Sequence, residues 1–138
     1  MSINLTSKNS TRIQSEINQL TVVEDFIYST CEALDFNSDN VGNVIISVTE
    51  AVNNGIIHGN SNDKNKFITI SCAYESNSLY IEVSDEGEGF DFNNLPDPTA
   101  PENLEKENGR GVFLMKSLSD KIEFRNNGSK VVLTFTND

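Results

Sequence analysis

The stretch "VTEAVNNGIIHGN", residues 48–60, decides the fold. It sets a Glu, two adjacent Asn and the chain's single His inside an otherwise apolar, helix-like run. At about 100° of rotation per residue, Val41, Val44, Ile45, Val48 and Val52 share one broad face, with Ala51 and Ile56 at its edges. Asn43, Ser47, Glu50, Asn54 and His58 fall opposite, in a narrow polar stripe flanked by Ile46 and Ile57. The spacing predicts a helix over 39–58, capped by Ser38 or Asn37, with its apolar face in the core. A merely solvated stripe should be rich in Lys and longer polar side chains, and this one holds short acceptors. Glu50 and Asn54 lie one turn apart on one face. Such a pair suits a hard cation and a hydroxyl: the carboxamide oxygen can ligate Mg²⁺ while the carboxylate accepts a proton. On the pattern alone, the solvated face and the site remain equally open. His58 alone reads as a packing or capping residue.

Working outward, "INLTS" (3–7) offers a short first strand, and residues 11–34 read as a helix. Thr11 and Gln14 have capping-box spacing, and Ile13, Ile17, Leu20, Val23, Ile27 and Cys31 follow in steps of three and four. After residue 66 the period becomes two. Residues 67–74 and 79–85 are predicted strands joined by the polar turn "ESNS". Leu79, Ile81 and Val83 alternate with Tyr80, Glu82 and Ser84, so one face is buried. Residues 86–111 form a long loop with all three prolines, and a loop of that length in a compact domain is usually functional. A short helix is expected over 112–119, then strands at 120–126 and 129–136 around the hairpin turn "NNGS". The expected fold class is α+β, a two-layer sandwich with helices on one face of a mostly antiparallel mixed sheet.

The 138 residues are enough for one domain, 1–138, with one core. No apolar run approaches the roughly 20 residues that span a bilayer. The N-terminus has no apolar signal region. A cytoplasmic protein without membrane contact is expected. Cys31 and Cys72 are isolated, with no metal-ligand spacing, and are expected as core thiols rather than a disulfide. A formal net charge of −11 argues against direct nucleic-acid binding. It is compatible with a basic protein partner and equally with solubility alone.

Two glycine motifs follow the polar helix. "VSDEGEGFD" (83–91) leaves a predicted strand with Asp85, Gly87 and Gly89. Alternating glycines let backbone approach a flat ligand where Cβ atoms would collide, and Asp85 offers an acceptor suited to an exocyclic amine. In "NGRGVFLM" (108–115), Gly109 and Gly111 precede a helix whose free N–H groups could bind phosphate. Glycines mark turns in every protein, so neither motif decides alone.

In this order, the motifs resemble the GHKL ATPase superfamily with its Bergerat fold. "EAVNNGIIHGN" looks like its N box, "DEGEGF" its first glycine box, "GRGVFLMKSLSD" its second, and "NNGSKVVLTF" its final glycine-plus-hydroxyl strand. Within the superfamily the chain is most similar to the small anti-sigma-factor serine protein kinases of partner-switching systems. The resemblance implies Glu50 as general base, Asn54 as the Mg²⁺ ligand and Asp85 as the adenine reader. It places Gly87 and Gly89 along the base and Gly109, Gly111 and the adjoining Val112 at the phosphates. Residues 95–108 would form the lid. Ser129 stands where most relatives carry Thr, keeping the hydroxyl. Arg110 either touches phosphates or is solvated. A histidine kinase would need a phospho-accepting His on a dimerisation helix pair, whereas the single His lies in the N box. The implied function is an ATP- and Mg²⁺-dependent serine/threonine kinase that phosphorylates a STAS-domain anti-anti-sigma protein. It would also hold a sigma factor and act as a homodimer. The alternative is a nucleotide-binding anti-sigma or other regulatory module without significant kinase activity.

Overall fold

Alternation of apolar and polar residues builds one sheet. The computed structural model describes residues 9–36, 38–87 and 107–136, apart from the side chains at 38, 107–110 and 127. Its strands are β1 (Ser10–Gln14), β2 (Phe67–Glu75), β3 (Ser78–Ser84), β4 (Lys121–Arg125) and β5 (Lys130–Thr136). They lie in the order β1-β2-β3-β5-β4, and each described pairing is antiparallel. Ile13 faces Ile68, Ile70 faces Val83, Ile81 faces both Cys72 and Leu133, and Val131 faces Phe124. A period of two therefore puts the apolar set on one face. Ser76 and Asn77 link β2 to β3 with φ of 52° and 66°, the left-handed pair that a tight hairpin turn requires.

Helices α1 (Leu20–Ala33), α2 (Val41–Asn54) and α3 (Glu107–Leu118) supply the second layer, and α2 packs against both of the others. The apolar stripe of α2 enters the core: Val44, Val48 and Val52 are fully buried, in one cluster with Ile70, Ile81 and Leu133. The two-layer α+β architecture is the expected one. Asp35, with φ of 56°, ends α1 in the left-handed conformation.

Several boundaries differ from expectation. Residues 10–14 form strand β1, not the start of a helix that runs from 11 to 34. Ile13 fits both periods in so short a window. Pairing with the open edge of β2 decides it, aided by the Arg12 guanidinium stacked 3.8 Å above the Phe67 ring. Ile17, assigned to the buried stripe, is 48% exposed in a short 3₁₀ turn. The cap proposed at Asn37 and the strand proposed at 3–7 lie outside the described residues. Helix α3 begins at Glu107 rather than 112, so Gly109 and Gly111 sit within the helix instead of before it. Ser47, placed on the polar stripe, is fully buried, and its hydroxyl has no hydrogen-bond partner among the described residues.

Cys31 and Cys72 are free and buried, as expected. Burial pushes their thiols up, to about 11 and about 12 respectively. They are therefore protonated and unreactive at neutral pH. Among the described residues, no helix is long and apolar enough to cross a membrane.

The core predicts its own sensitivity. Leu133 is fully buried on the central face of β5. Leu133→Ala should cost about 2–5 kcal/mol, whereas Val22→Ala, at a 43% exposed position of α1, should stay within about 0.5 kcal/mol. Urea denaturation of both variants checks the contrast.

Candidate functional site

The C-terminal end of α2 departs from α-helical geometry. Gly55–Gly59 continue it as a π-helical turn, in which the Asn60 N–H donates to the Gly55 carbonyl five residues back at 2.7 Å. Such turns are rare and tend to mark functional sites. This one lies against the loop that leaves β3. A Cβ on Gly55 would come within 2.9 Å of Ile68 Cδ1, and one on Gly59 within 2.4 Å of the Asp85 carboxylate. A Cβ on Gly87 would stand only 2.0 Å from the Gly59 carbonyl oxygen. Gly59 and Gly87 thus let backbone meet backbone, while Gly55 makes room for the side chains of Ile68 and Asp85.

Asp85 sits at this junction. Its Oδ1 accepts from the Gly87 N–H at 2.8 Å, and its own N–H donates to the Ser129 carbonyl at 2.9 Å. Burial pushes its carboxyl above the usual range, while the Gly87 amide and the charge of Lys66 partly oppose that. The Asp85 N–H thereby carries the β3–β5 pairing one residue past Ser84.

A cavity partly open to solvent occupies the space between α2, α3 and the sheet. Val83, Met115, Phe124 and Val131 form its apolar lining, with Ala51 and Val112. Its polar groups converge from separate elements: Asn54, His58, Asp85 and Ser129. Gly55, Gly59 and Gly128 complete the wall, and Gly128 has φ of 95° where the chain turns into β5. The Ser129 hydroxyl donates to the Asn126 carbonyl at 2.9 Å, leaving its oxygen lone pairs free to accept.

At the α3 end of the cavity lies the Glu50/Asn54 pair, both half-buried. Gly111 packs directly on them: a Cβ there would be 3.0 Å from Asn54 Nδ2 and 3.1 Å from Glu50 Oε2. The polar stripe of α2 therefore faces the first turns of α3. The opening amides of an α-helix have no intrahelical acceptor, and in α3 these include Gly109. Arg110 is in the same turn, but its side chain lies outside the described residues, as does Gly89. Of the lid expected at 95–108, residues 95–106 also lie outside them, and 107–108 belong to α3.

The structure thus brings Asn54, Asp85, Val112 and Ser129 to one cavity, with Gly87 on the loop that carries Asp85 and Gly111 against Glu50 and Asn54; Gly109 lies two residues earlier in α3. Among the described residues no cluster of three or more His, Cys, Asp or Glu could cage a metal alone. A carboxamide and a carboxylate packed against α3 instead suit a cation that keeps waters and shares phosphate ligands, as Mg²⁺ does. Sequence reasoning missed the apolar walls Met115, Phe124 and Val131 and the glycines at 55 and 59. The i, i+4 spacing of those glycines in an apolar helix was the available signal of a close backbone approach.

The family model for the histidine kinase-like ATPase domain matches residues 13–136. The chain is 27% identical over 128 residues to the serine-protein kinase RsbW of Bacillus cereus (strain AH820), covering 88% of this chain and 79% of that one. The same figures hold for the serine-protein kinase RsbW of Bacillus thuringiensis (strain Al Hakam). Among solved structures, the RsbU and RsbW domains of Rv1364c from Mycobacterium tuberculosis share the fold, with a TM-score of 0.62 and 14% identity. That match covers 93% of this chain and 32% of the longer one.

The environment of Asp85 yields a signed prediction. Because burial raises its pKa above 3.8, the folded chain binds that proton more tightly than the unfolded chain does. The ionised form therefore lowers stability above the raised pKa, and the penalty vanishes below 3.8. Asp85→Asn should raise Tm at neutral pH, with the gain shrinking as the pH falls toward 3.8. Thermal melts of both proteins across that interval check the sign.

Proposed function

We propose, for a chain that belongs to the histidine kinase-like ATPase domain family, that it is an ATP-dependent protein serine/threonine kinase. Residues 1–138 act as one ATPase domain whose substrate is a hydroxyl on a STAS-domain anti-anti-sigma protein. The same molecule holds a sigma factor and works as a homodimer. The observation that carries the reading is the cavity with an acceptor at each end: the Asp85 carboxylate beside the π turn, and the Glu50/Asn54 pair under the first turns of α3. The serine-protein kinase names of the 27% identical relatives support it.

Each residue has a physical task on this reading. Asp85 accepts from the exocyclic amine of adenine, while Gly87 and Gly89 leave room for the flat base. Val83, Met115 and Phe124 exclude water from the faces of the ring. The opening amides of α3, Gly109 among them, are offered to the phosphates, with Arg110, Gly111 and Val112 following in the helix beside them, and the Ser129 oxygen accepts from the nucleotide at the other wall. Asn54 would hold Mg²⁺ through its carboxamide oxygen; the ion, when bound, supplies charge neutralisation at the phosphates. Glu50 takes the proton from the attacking hydroxyl. A bond forms between that hydroxyl oxygen and the γ-phosphorus as the bond to the β-phosphate oxygen breaks, and ADP leaves.

The protein lowers the barrier chiefly by positioning and fixed charge, the main contributions in phosphoryl transfer. The net charge of −11 provides a field for a partner with a basic surface. Glu50→Gln should lower transfer to a STAS-domain protein by about 10²-fold or more with ATP affinity unchanged. Phosphoserine or phosphothreonine detected by mass spectrometry, beside nucleotide binding by calorimetry, checks both halves. Binding without transfer in the unaltered chain would point to a nucleotide-holding regulator instead.

A further inference from the structure

Asn60 lies just beyond the π turn, is 1% exposed, and uses its whole side chain. Its Nδ2 donates to the Phe67 carbonyl at 3.0 Å and to Ser15 Oγ at 2.8 Å. Its Oδ1 accepts from the Glu86 N–H at 2.8 Å. The orientation of the carboxamide is fixed by its partners, since a peptide N–H can only donate and a carbonyl can only accept. The Glu86 carboxylate in turn accepts from the Phe67 N–H. Phe67 at the start of β2 is therefore tied through both of its peptide groups to the residue that follows Asp85.

These bonds act where the segment after β3 leaves the sheet, beside the Gly87 N–H that donates to Asp85 Oδ1. The β3 ladder ends at Ser84, and Asp85 holds on by one backbone bond to Ser129. Gly59 and Gly87 touch but exert no directional pull. The direction in which the Asp85 carboxylate faces the cavity is thus set by the Gly87 N–H on its Oδ1, by Ser129 on its own N–H, and by Asn60 on the Glu86 amide that links the two residues.

We propose that Asn60 is a positioning residue for base recognition: by holding the Glu86 amide, it keeps the Asp85 carboxylate aimed at the exocyclic amine of the bound purine. The inference rests on the assignment of Asp85 as the base reader. Asn60 itself does not line the cavity, so its effect on the ligand passes through Asp85. A merely structural Asn60 would weaken every nucleotide alike. A positioning Asn60 affects the discrimination between ATP and the purine riboside triphosphate that lacks the 6-amino group.

The test is calorimetric affinity for both nucleotides, on the full chain with Mg²⁺, for four variants. Asp85→Ala sets the floor of the ATP preference. Asn60→Ala should lose about tenfold of that preference, the scale of one hydrogen bond to a charged group. Glu86→Ala, at an exposed position and so tolerant for folding, should shift it in the same direction. Ser15→Ala removes an Asn60 partner without touching the Glu86 amide, and should lower Tm while keeping the preference intact. A preference unchanged in both Asn60→Ala and Glu86→Ala, yet lost in Asp85→Ala, overturns the positioning role alone. An equal loss in Ser15→Ala would tie the effect to stability and overturn it too. A preference unmoved by Asp85→Ala overturns the base-reading assignment and this inference with it.

Discussion

One helix has to satisfy two surfaces at once. The valines of α2 at 44, 48 and 52 must leave water, and the sheet's apolar face is the available partner. A side chain of that size contributes about 1.5–3 kcal/mol on burial, so the rotation of α2 about its axis is set by the core. Once that rotation is fixed, Glu50 and Asn54 have one direction left to face, toward α3. The polar pair is therefore held rigidly without any dedicated support, because turning it away would expose the valines. Gly111 then decides how near α3 can come, since a side chain there would press on both groups.

A trade-off sits at the other end of the same cavity. A carboxylate half-withdrawn from water is a worse group for stability and a better one for recognition, because few waters compete for its lone pairs. The raised Asp85 pKa is the sign of that tension. The Gly87 amide and the charge of Lys66 soften it without removing it. Val83, Met115 and Phe124 line the same cavity, so the carboxylate shares it with apolar side chains.

Strands were readable because a period of two leaves little ambiguity over seven to nine residues, as in β2, β3 and β5. Over the five residues of β1 the same signal is too short. Ile13 and Ile17 happen to lie four apart, and pairing with β2, invisible locally, overrode the helical reading. The start of α3 escaped for a related reason: two glycines and an asparagine look like a loop, yet packing on α2 holds them helical. Ser47 was misplaced because a helical wheel sees one helix and not its neighbour. Of the site, the acceptors and the glycine boxes were legible as local motifs. Asn60 was not, since its partners at 15, 67 and 86 come together only through the sheet.

The π turn at Gly55–Gly59 also makes the chain length here a fixed quantity. A π turn contains one residue more than the α-helix would need. Deleting any one residue from it would let α2 run on as a regular helix, a locally favourable change. It would also remove the widened turn on which Gly59 meets Asp85 and Gly87. Substitution can be absorbed at many points in this protein, but at Gly55–Gly59 the number of residues sets the shape of the turn. Two of its letters are fixed as well, since a Cβ at Gly55 or Gly59 would collide with Ile68 or Asp85.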